Sequence, residues 1–184
     1  LLESSPCTLI AVVSDEGKPS HREILSNWNG EAGNSTTSLF LGLTGARTVR
    51  FSDALPNAGE VSTPSKPFIL TALSGGGIAE VYQNGRRLSA GSELAGRRLD
   101  TQWVIGQQGN INGEFWMGGI AEIRVYDGPL STNDREQLEK ELADRYDLTL
   151  EAAEPPTVVP SARTLALASL CHVLMNSNEF LFVD

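Results

Sequence analysis

The sequence is poor in the residues that carry much of protein chemistry. Its 184 residues include two cysteines, too few for a disulfide framework or a structural zinc site. Acidic side chains outnumber basic ones and give a net charge of -9, which repels nucleic acid phosphates and anionic membrane surfaces. We therefore expect no nucleic acid partner. We also expect no membrane insertion, because the apolar runs are too short or too interrupted to span a bilayer.

The two histidines do not point to catalysis. A Ser-His-Asp triad would need one of them in a cleft beside a serine, but His21 lies in a polar loop and His172 lies beside an apolar helical stripe. The pair Cys171-His172 resembles the end of a c-type haem attachment motif, yet Ala168 stands where the first thiol is required. We favour a buried free thiol at Cys171, with a bridge to Cys7 as the alternative.

The sequence also lacks the acidic motif of sandwich-fold glycoside hydrolases. Retaining enzymes of this kind carry two glutamates about four to five residues apart, usually as Glu-x-Asp-x-x-Glu, with the carboxyls about 5 Å apart. No glutamate here is followed two places later by aspartate. Glu122 and Asp127 are five apart and would lie on opposite faces of a strand. We therefore expect no enzymatic activity.

Turn residues and short apolar runs are what the sequence has in quantity. Eighteen glycines and nine prolines accompany eight short runs that are rich in β-branched or aromatic residues, a pattern that predicts an all-β antiparallel sandwich of the jelly roll kind. Asn84-Gly85 readily adopts a type I′ turn, so 78–83 and 86–90 should form a hairpin. The predicted strands are 8–13, 22–28, 37–43, 47–51, 68–73, 78–83, 101–105 and 119–126.

A helix should follow the last strand. Ser131 can cap it together with Asp134 three residues on, and Leu138, Leu142 and Tyr146 share one face. Three prolines then interrupt the chain between 151 and 160, which predicts a linker.

A second short helix is expected beyond that linker. These patterns divide the chain into a β-sandwich domain at 1–149, a proline-rich linker at 150–160 and a helical tail at 161–184 that belongs to a neighbouring domain. Because the sequence opens with Leu1 and not with methionine, we expect it to be part of a longer protein.

Aromatic side chains are the remaining route to a ligand site. Sugars stack on exposed Trp or Tyr faces, while polar groups take the hydroxyls. Trp116 follows Phe115, so one of these two neighbours should point outward if the stretch is extended. Core burial is the competing interpretation for every tryptophan and is favoured for Trp103. The candidate carbohydrate-binding residues are Trp28, Asn29, Tyr82 and Trp116.

A calcium site has weak support, and no other cofactor is expected. Four acidic residues lie near predicted strand ends, where calcium ligands often gather, but no local stretch resembles a calcium-binding loop. An acidic surface without such a motif more often serves solubility. The four residues are Asp15, Asp53, Asp100 and Glu114.

Three stretches of the chain together resemble a known family. They are VYQNG at 81–85, GGIAEIRVYD at 118–127 and PLS at 129–131. In their spacing and order they are similar to the Tyr-x-Asn-Gly hairpin, the Gly-x-Ile-x-Glu-Ile strand and the Leu-Ser turn of laminin G-like, concanavalin A-like jelly roll domains. The resemblance covers about residues 7–149. It implies the fold and says little about a ligand.

The last twenty residues resemble something else. The stretch 165–184, above all NSNEF at 176–180, looks like the C-terminal end of an uncharacterised domain of large secreted planctomycete-type proteins, which also carry cytochrome c-like and laminin G-like modules. This resemblance implies an extracellular or periplasmic parent protein that acts on polysaccharide.

Two functional hypotheses remain open. The first is a non-catalytic, lectin-like carbohydrate-binding module of a larger secreted multidomain protein, with a polysaccharide or other glycan as its partner. The alternative is a structural or protein–protein docking module without a sugar ligand, which packs against other domains of its parent protein.

Overall fold

A computed structural model of the chain describes residues 1–17, 19–28, 37–53, 55–62, 66–88, 92–109 and 112–151. Within these ranges the chain forms ten strands and one helix. They are β1 (Cys7–Val13), β2 (Arg22–Ser26), β3 (Phe40–Leu43), β4 (Val49–Phe51), β5 (Phe68–Gly75), β6 (Ile78–Gln83), β7 (Arg86–Arg87), β8 (Ser92–Glu93), β9 (Val104–Ile105), β10 (Ile120–Asp127) and α1 (Thr132–Tyr146). The predicted tail, and the predicted linker apart from its first two residues, lie outside the described residues.

The strands pair into two antiparallel sheets. The first sheet has the order β10-β1-β5-β6-β7, with β8 also paired to β6, and the second has the order β4-β3-β2-β9. In the first sheet β1 lies between the two eight-residue strands, so that Leu9 faces Ala72 on one side and Val125 on the other. This β-sandwich with one helix after the last strand confirms the predicted fold class.

Side-chain alternation buries both faces of β1. From β1, Leu9 and Ala11 enter the core between the sheets, whereas Ile10 and Val12 point the other way into a second apolar cluster beneath α1. Burial of each such aliphatic side chain contributes roughly 1.5 to 3 kcal/mol. Since α1 covers one face and the second sheet covers the other, all seven residues of β1 are buried.

Two local predictions are confirmed in detail. Asn84 and Gly85 adopt φ angles of 48° and 88°, as a type I′ hairpin turn requires, and Gln83 pairs with Arg86 across it. Ser131 caps α1 by accepting a hydrogen bond from the Asp134 backbone N–H at 3.2 Å. At 15 residues α1 is too short to cross a bilayer, and the described part of the chain contains no other helix that could.

A buried ion pair fixes the start of the second sheet. The Arg22 guanidinium donates from Nε and Nη2 to the Asp15 carboxylate at 2.6 and 2.7 Å, and neither side chain is exposed to solvent. The Nη1 of Arg22 also donates to the carbonyl oxygens of Ser20 and Thr44, at 2.7 and 2.9 Å. This bidentate geometry joins the segment after β1 to the second sheet.

Candidate functional site

The structure places the four predicted sugar-binding residues in separate surroundings. Trp116 is 8% exposed and belongs to the core between the sheets, where its Nε1 donates to the Gly119 carbonyl at 3.3 Å. Trp28 is partly buried just after β2, and its backbone N–H donates to Ser26 Oγ at 3.1 Å. Asn29 lies outside the described residues.

Tyr82 lies on the first sheet beneath the helix. The Arg135 guanidinium from α1 sits 4.0 Å from the centroid of its ring, and its hydroxyl donates to Glu80 at 2.7 Å. Burial, followed by the bond to Glu80, raises the pKa of Tyr82 to about 12. One face of this ring is therefore already taken by a cation–π contact within the domain.

Phe115, the neighbour of Trp116, is the aromatic residue that points outward. It is 42% exposed, so one of the two neighbours does point outward, as the alternation predicts, but it is the phenylalanine. Met117 and Ile105 are also exposed. The backbone N–H of Trp116 joins their two segments by donating to the Gly106 carbonyl at 2.8 Å. We call Ile105, Phe115 and Met117 the apolar edge. It holds three of the five large exposed hydrophobic side chains among the described residues.

Beside this edge, charged side chains lie on the outer face of the second sheet. Leu41, Leu43, Val49 and Phe51 belong to the core, so the residues that alternate with them on β3 and β4 face outward. Strand pairing then sets Arg50 opposite Gly42, Gly42 opposite Glu23, and Glu23 opposite Phe115.

Arg50 links two carboxylates on this outer face. Its Nη1 donates to Glu23 Oε1 and, at 2.7 Å, to Glu114 Oε2, while its guanidinium carbon lies 4.9 Å from the ring centroid of the buried Phe40. We call Glu23, Arg50 and Glu114 the polar row. Glu114 adopts a left-handed backbone with φ of 49°, a strained conformation for this residue type that is often found at functional sites.

Gly42 makes the polar row sterically possible. A β-carbon at this position would lie 2.0 Å from Glu23 Oε2 and 2.3 Å from the Arg22 carbonyl oxygen. The missing side chain lets the Glu23 carboxylate reach across β3 to Arg50. The glycine is therefore explained by close packing and not by a turn.

Glu23 is the most perturbed titratable group of the row. Its side chain has no solvent exposure, and its Oε2 has no hydrogen-bond partner among the described residues. Burial raises the pKa of Glu23 well above its ordinary value; Arg50 opposes this shift and the neighbouring Glu114 carboxylate adds to it. Burial thus favours the protonated form of Glu23.

Three of the four candidate calcium carboxylates form ion pairs with arginine. Asp15 binds Arg22, Asp53 contacts Arg97 at 2.5 Å, and Glu114 binds Arg50, whereas Asp100 is exposed. Within the described ranges no group of three or more His, Cys, Asp or Glu side chains is arranged to hold a metal ion.

Of the two cysteines, Cys7 lies within the described residues. Cys7 is buried, its thiol lies 3.8 Å from Ser74 Oγ, and burial raises its pKa to about 11, so it is a poor nucleophile. Cys171 and His172 fall outside the described residues, and the state of Cys171 stays a prediction.

The polar row and the apolar edge together suit binding better than bond cleavage. Glu23 and Glu114 both bind one nitrogen of Arg50, so their carboxyls form a close pair, although they are 91 residues apart and belong to no hydrolase motif in the sequence. However, the fully buried Glu23 cannot reach a glycosidic oxygen at the surface. What remains accessible is the Phe115 ring, the Glu114 carboxylate at 27% exposure and the Arg50 guanidinium at 14%.

Comparisons with known proteins reveal the fold and no family. No protein-family profile and no curated protein matches the chain. Among solved structures it is similar to domain 4 of AbnA, an extracellular arabinanase of Geobacillus stearothermophilus in complex with arabinotriose, with 17% identity, a TM-score of 0.52, and coverage of 76% of this chain and 68% of that one.

Two sialidases supply further neighbours. The CBM40 domain of the Ruminococcus gnavus IT-sialidase, bound to α2,3-sialyllactose, has 16% identity, a TM-score of 0.56, and coverage of 75% and 83%. A Trypanosoma rangeli sialidase has 19% identity and a TM-score of 0.56; 78% of this chain matches 23% of that enzyme. At these identities the likeness establishes a β-sandwich shared with carbohydrate-binding domains and leaves the ligand open.

Proposed function

We propose that this chain is a non-catalytic carbohydrate-binding module and that the apolar edge and the polar row form its glycan site. The observation that carries the proposal is the exposed Phe115 ring next to the paired Glu114 and Arg50 side chains. An aromatic face takes the C–H side of a sugar ring. A carboxylate accepts hydrogen bonds from the hydroxyls of that sugar, and a neighbouring guanidinium donates hydrogen bonds to them.

The packing of the domain supports this location. The first sheet has one face on the core, and α1 covers its other face at β1 and β5. The second sheet carries the charged row on its outer face, and the helix of the described chain does not pack on it. The solved neighbours, one of which holds arabinotriose and another sialyllactose, support a glycan as the ligand class.

A glycan array followed by a polysaccharide pull-down, with and without Ca²⁺, tests the proposal. Phe115→Ala should weaken binding by roughly 1 to 3 kcal/mol, because it removes the stacking face. Ile78→Ala is the matched control, since Ile78 is 52% exposed but lies on the first sheet. Binding that survives Phe115→Ala unchanged would contradict the site assignment, and clean failure across plant, algal and bacterial glycans would contradict the function.

The other predicted residues extend the test. Trp28→Ala probes whether the site continues past the end of β2 toward Asn29, and Tyr82→Phe probes the helix-covered face. A loss of affinity in Trp28→Ala without a change in unfolding midpoint would enlarge the proposed site in that direction.

A docking module is the second candidate function, and one observation favours it. Two of the three side chains in the apolar edge, Ile105 and Met117, are non-aromatic and are exposed at 61% and 37%, so they offer apolar contact surface without a stacking face for a sugar ring. In that case the edge would pack against another domain of the parent protein, and glycan binding would be absent.

We further propose that the parent protein is secreted, to the extracellular space or the periplasm, and has several domains. This follows from the resemblance of the chain to modules of secreted proteins and from the extracellular arabinanase among its structural neighbours. Cell fractionation of the native host, with an antibody against this domain, tests it; a purely cytoplasmic signal would refute it.

A further inference from the structure

We infer that the site selects uncharged glycans and rejects those that carry carboxylate or sulfate groups. The inference rests on the proposed function and adds the class of ligand. It follows from the way in which the charges of the polar row are already matched within the domain.

Arg50 has no positive charge to spare for an acidic sugar. Among the outward-facing residues of β2, β3 and β4, Arg50 is the one that is basic. Its Nη1 already donates hydrogen bonds to both Glu23 and Glu114. With Glu23 protonated, Arg50 and Glu114 cancel; with Glu23 ionised, the row carries one net negative charge. In neither state does the row attract an anion.

The accessible parts of the row would repel an acidic ligand. Glu114 is more exposed than Arg50, so an approaching carboxylate meets a like charge before it reaches the guanidinium. Glu16 adds a further exposed acid at this end of the sheet, where its backbone N–H donates to the Met117 carbonyl at 2.8 Å. The net charge of -9 on the whole chain acts in the same direction.

An uncharged sugar meets none of these costs. Its hydroxyls can donate to the Glu114 carboxylate and accept from Arg50 without breaking the ion pair between them, because a hydroxyl is both a donor and an acceptor. Hydrogen bonds to charged groups are stronger than neutral ones, so the same pair that repels an anion favours neighbouring hydroxyls. The exposed Phe115 ring contributes contact that does not depend on charge.

Matched glycans that differ only in charge test the inference. Affinity electrophoresis and titration calorimetry on the full chain would compare polygalacturonate with its methyl ester, and β-1,4-mannuronan with β-1,4-mannan. Any other acidic glycan that binds in the array would be retested after chemical reduction of its carboxyl groups. We expect the uncharged member of each bound pair to bind at least about tenfold more tightly, with a preference that shrinks as salt rises.

Glu114→Gln identifies the source of the selectivity. It removes the exposed negative charge and leaves Arg50 with a buried partner, so it should raise the affinity for the acidic member relative to the uncharged one. Glu93→Gln is the matched control, because Glu93 is exposed on β8 of the first sheet. Thermal unfolding of both variants verifies that they fold.

The outcomes separate the inference from the proposed function. A wild-type preference for the acidic glycans, or a selectivity that Glu114→Gln leaves unchanged, overturns the inference while the carbohydrate-binding function stands. Binding to no glycan of either kind overturns the proposed function itself. Tighter binding of uncharged glycans, relaxed in Glu114→Gln and retained in Glu93→Gln, supports both.

Discussion

Replacing Asp15 by alanine is the sharpest test of how the sandwich is held together. Asp15 and Arg22 have side chains with no solvent exposure, and their two hydrogen bonds of 2.6 and 2.7 Å form a bidentate pair. The variant removes the carboxylate that accepts hydrogen bonds from two nitrogens of Arg22. The charged guanidinium stays buried without its counter-ion. The pair lies where the chain passes from β1 to β2, so its loss affects both sheets.

The expected cost can be worked out in two ways. Breaking a buried ion pair by removing one partner costs about 3 to 5 kcal/mol. Counted as hydrogen bonds to charged groups at about 1.5 to 3 kcal/mol each, the two bonds give about 3 to 6 kcal/mol. The two figures agree, and a loss of this size is a large part of the roughly 5 to 15 kcal/mol by which domains of this kind are stable.

Urea unfolding of a double-mutant cycle measures the effect. Asp15→Ala and Arg22→Met should each be strongly destabilising, whereas the double variant should cost clearly less than the sum, because it leaves no uncompensated charge. Asp144→Ala is the control: the Lys140–Asp144 pair has a similar length of 2.7 Å but is 68% exposed on both sides, so its removal should cost no more than about 0.5 kcal/mol. A loss below about 1 kcal/mol in Asp15→Ala, or full additivity in the cycle, would refute this reasoning.

Three further predictions follow from the site and the core. Because the pKa of Glu23 is raised in the folded protein, the stabilisation from its bound proton is complete below the ordinary value of 4.5 and is lost as the pH rises through the folded-state pKa. Urea unfolding should therefore find Glu23→Gln increasingly more stable than the wild type as the pH rises above 4.5, and a difference that does not change with pH would contradict the shift. Trp116→Ala should cost about 3 to 5 kcal/mol in unfolding free energy, because the indole fills the core, and a wild-type unfolding midpoint would show that this packing is unimportant. Gly42→Ala should cost about 1 to 3 kcal/mol and weaken glycan binding, because its β-carbon would displace Glu23; unchanged binding and stability would mean that Glu23 has another route to Arg50.

The parts of the fold that depend on local chemistry could be predicted from the sequence. The positive φ angles at Asn84-Gly85 and the hydroxyl cap at Ser131 involve residues next to each other in the chain, so their patterns identify them. The strand β8 was not predicted, because its two residues, Ser92–Glu93, are polar and form no apolar run. Strand β9 is shorter than the predicted 101–105 and pairs only at Val104 and Ile105.

The candidate site could not be predicted in this way, because its members come from distant parts of the chain. Arg50 and Glu23 are 27 residues apart, and Arg50 and Glu114 are 64 apart. The pairing of β2, β3 and β4 brings Arg50 to Glu23, and the bridge between Glu23 and Phe115 brings Glu114 to the same place. Alternation alone indicated that Phe115 or Trp116 points outward. Which of the two does so depends on the pairing of Phe115 with Glu23 and on the left-handed backbone of Glu114, neither of which has a signature in the sequence.

Stability alone does not account for the polar row. A buried ion cluster often contributes less to stability than well-packed apolar side chains of the same volume, and the left-handed backbone of Glu114 adds a cost of order 1 kcal/mol. The neighbouring core shows that this chain can fill a sheet face with leucine, valine and phenylalanine. The outer face of the second sheet instead combines a buried acid, a matched arginine and a partly exposed glutamate beside an exposed aromatic ring. Folding alone does not require that arrangement, which is consistent with the glycan site that we propose.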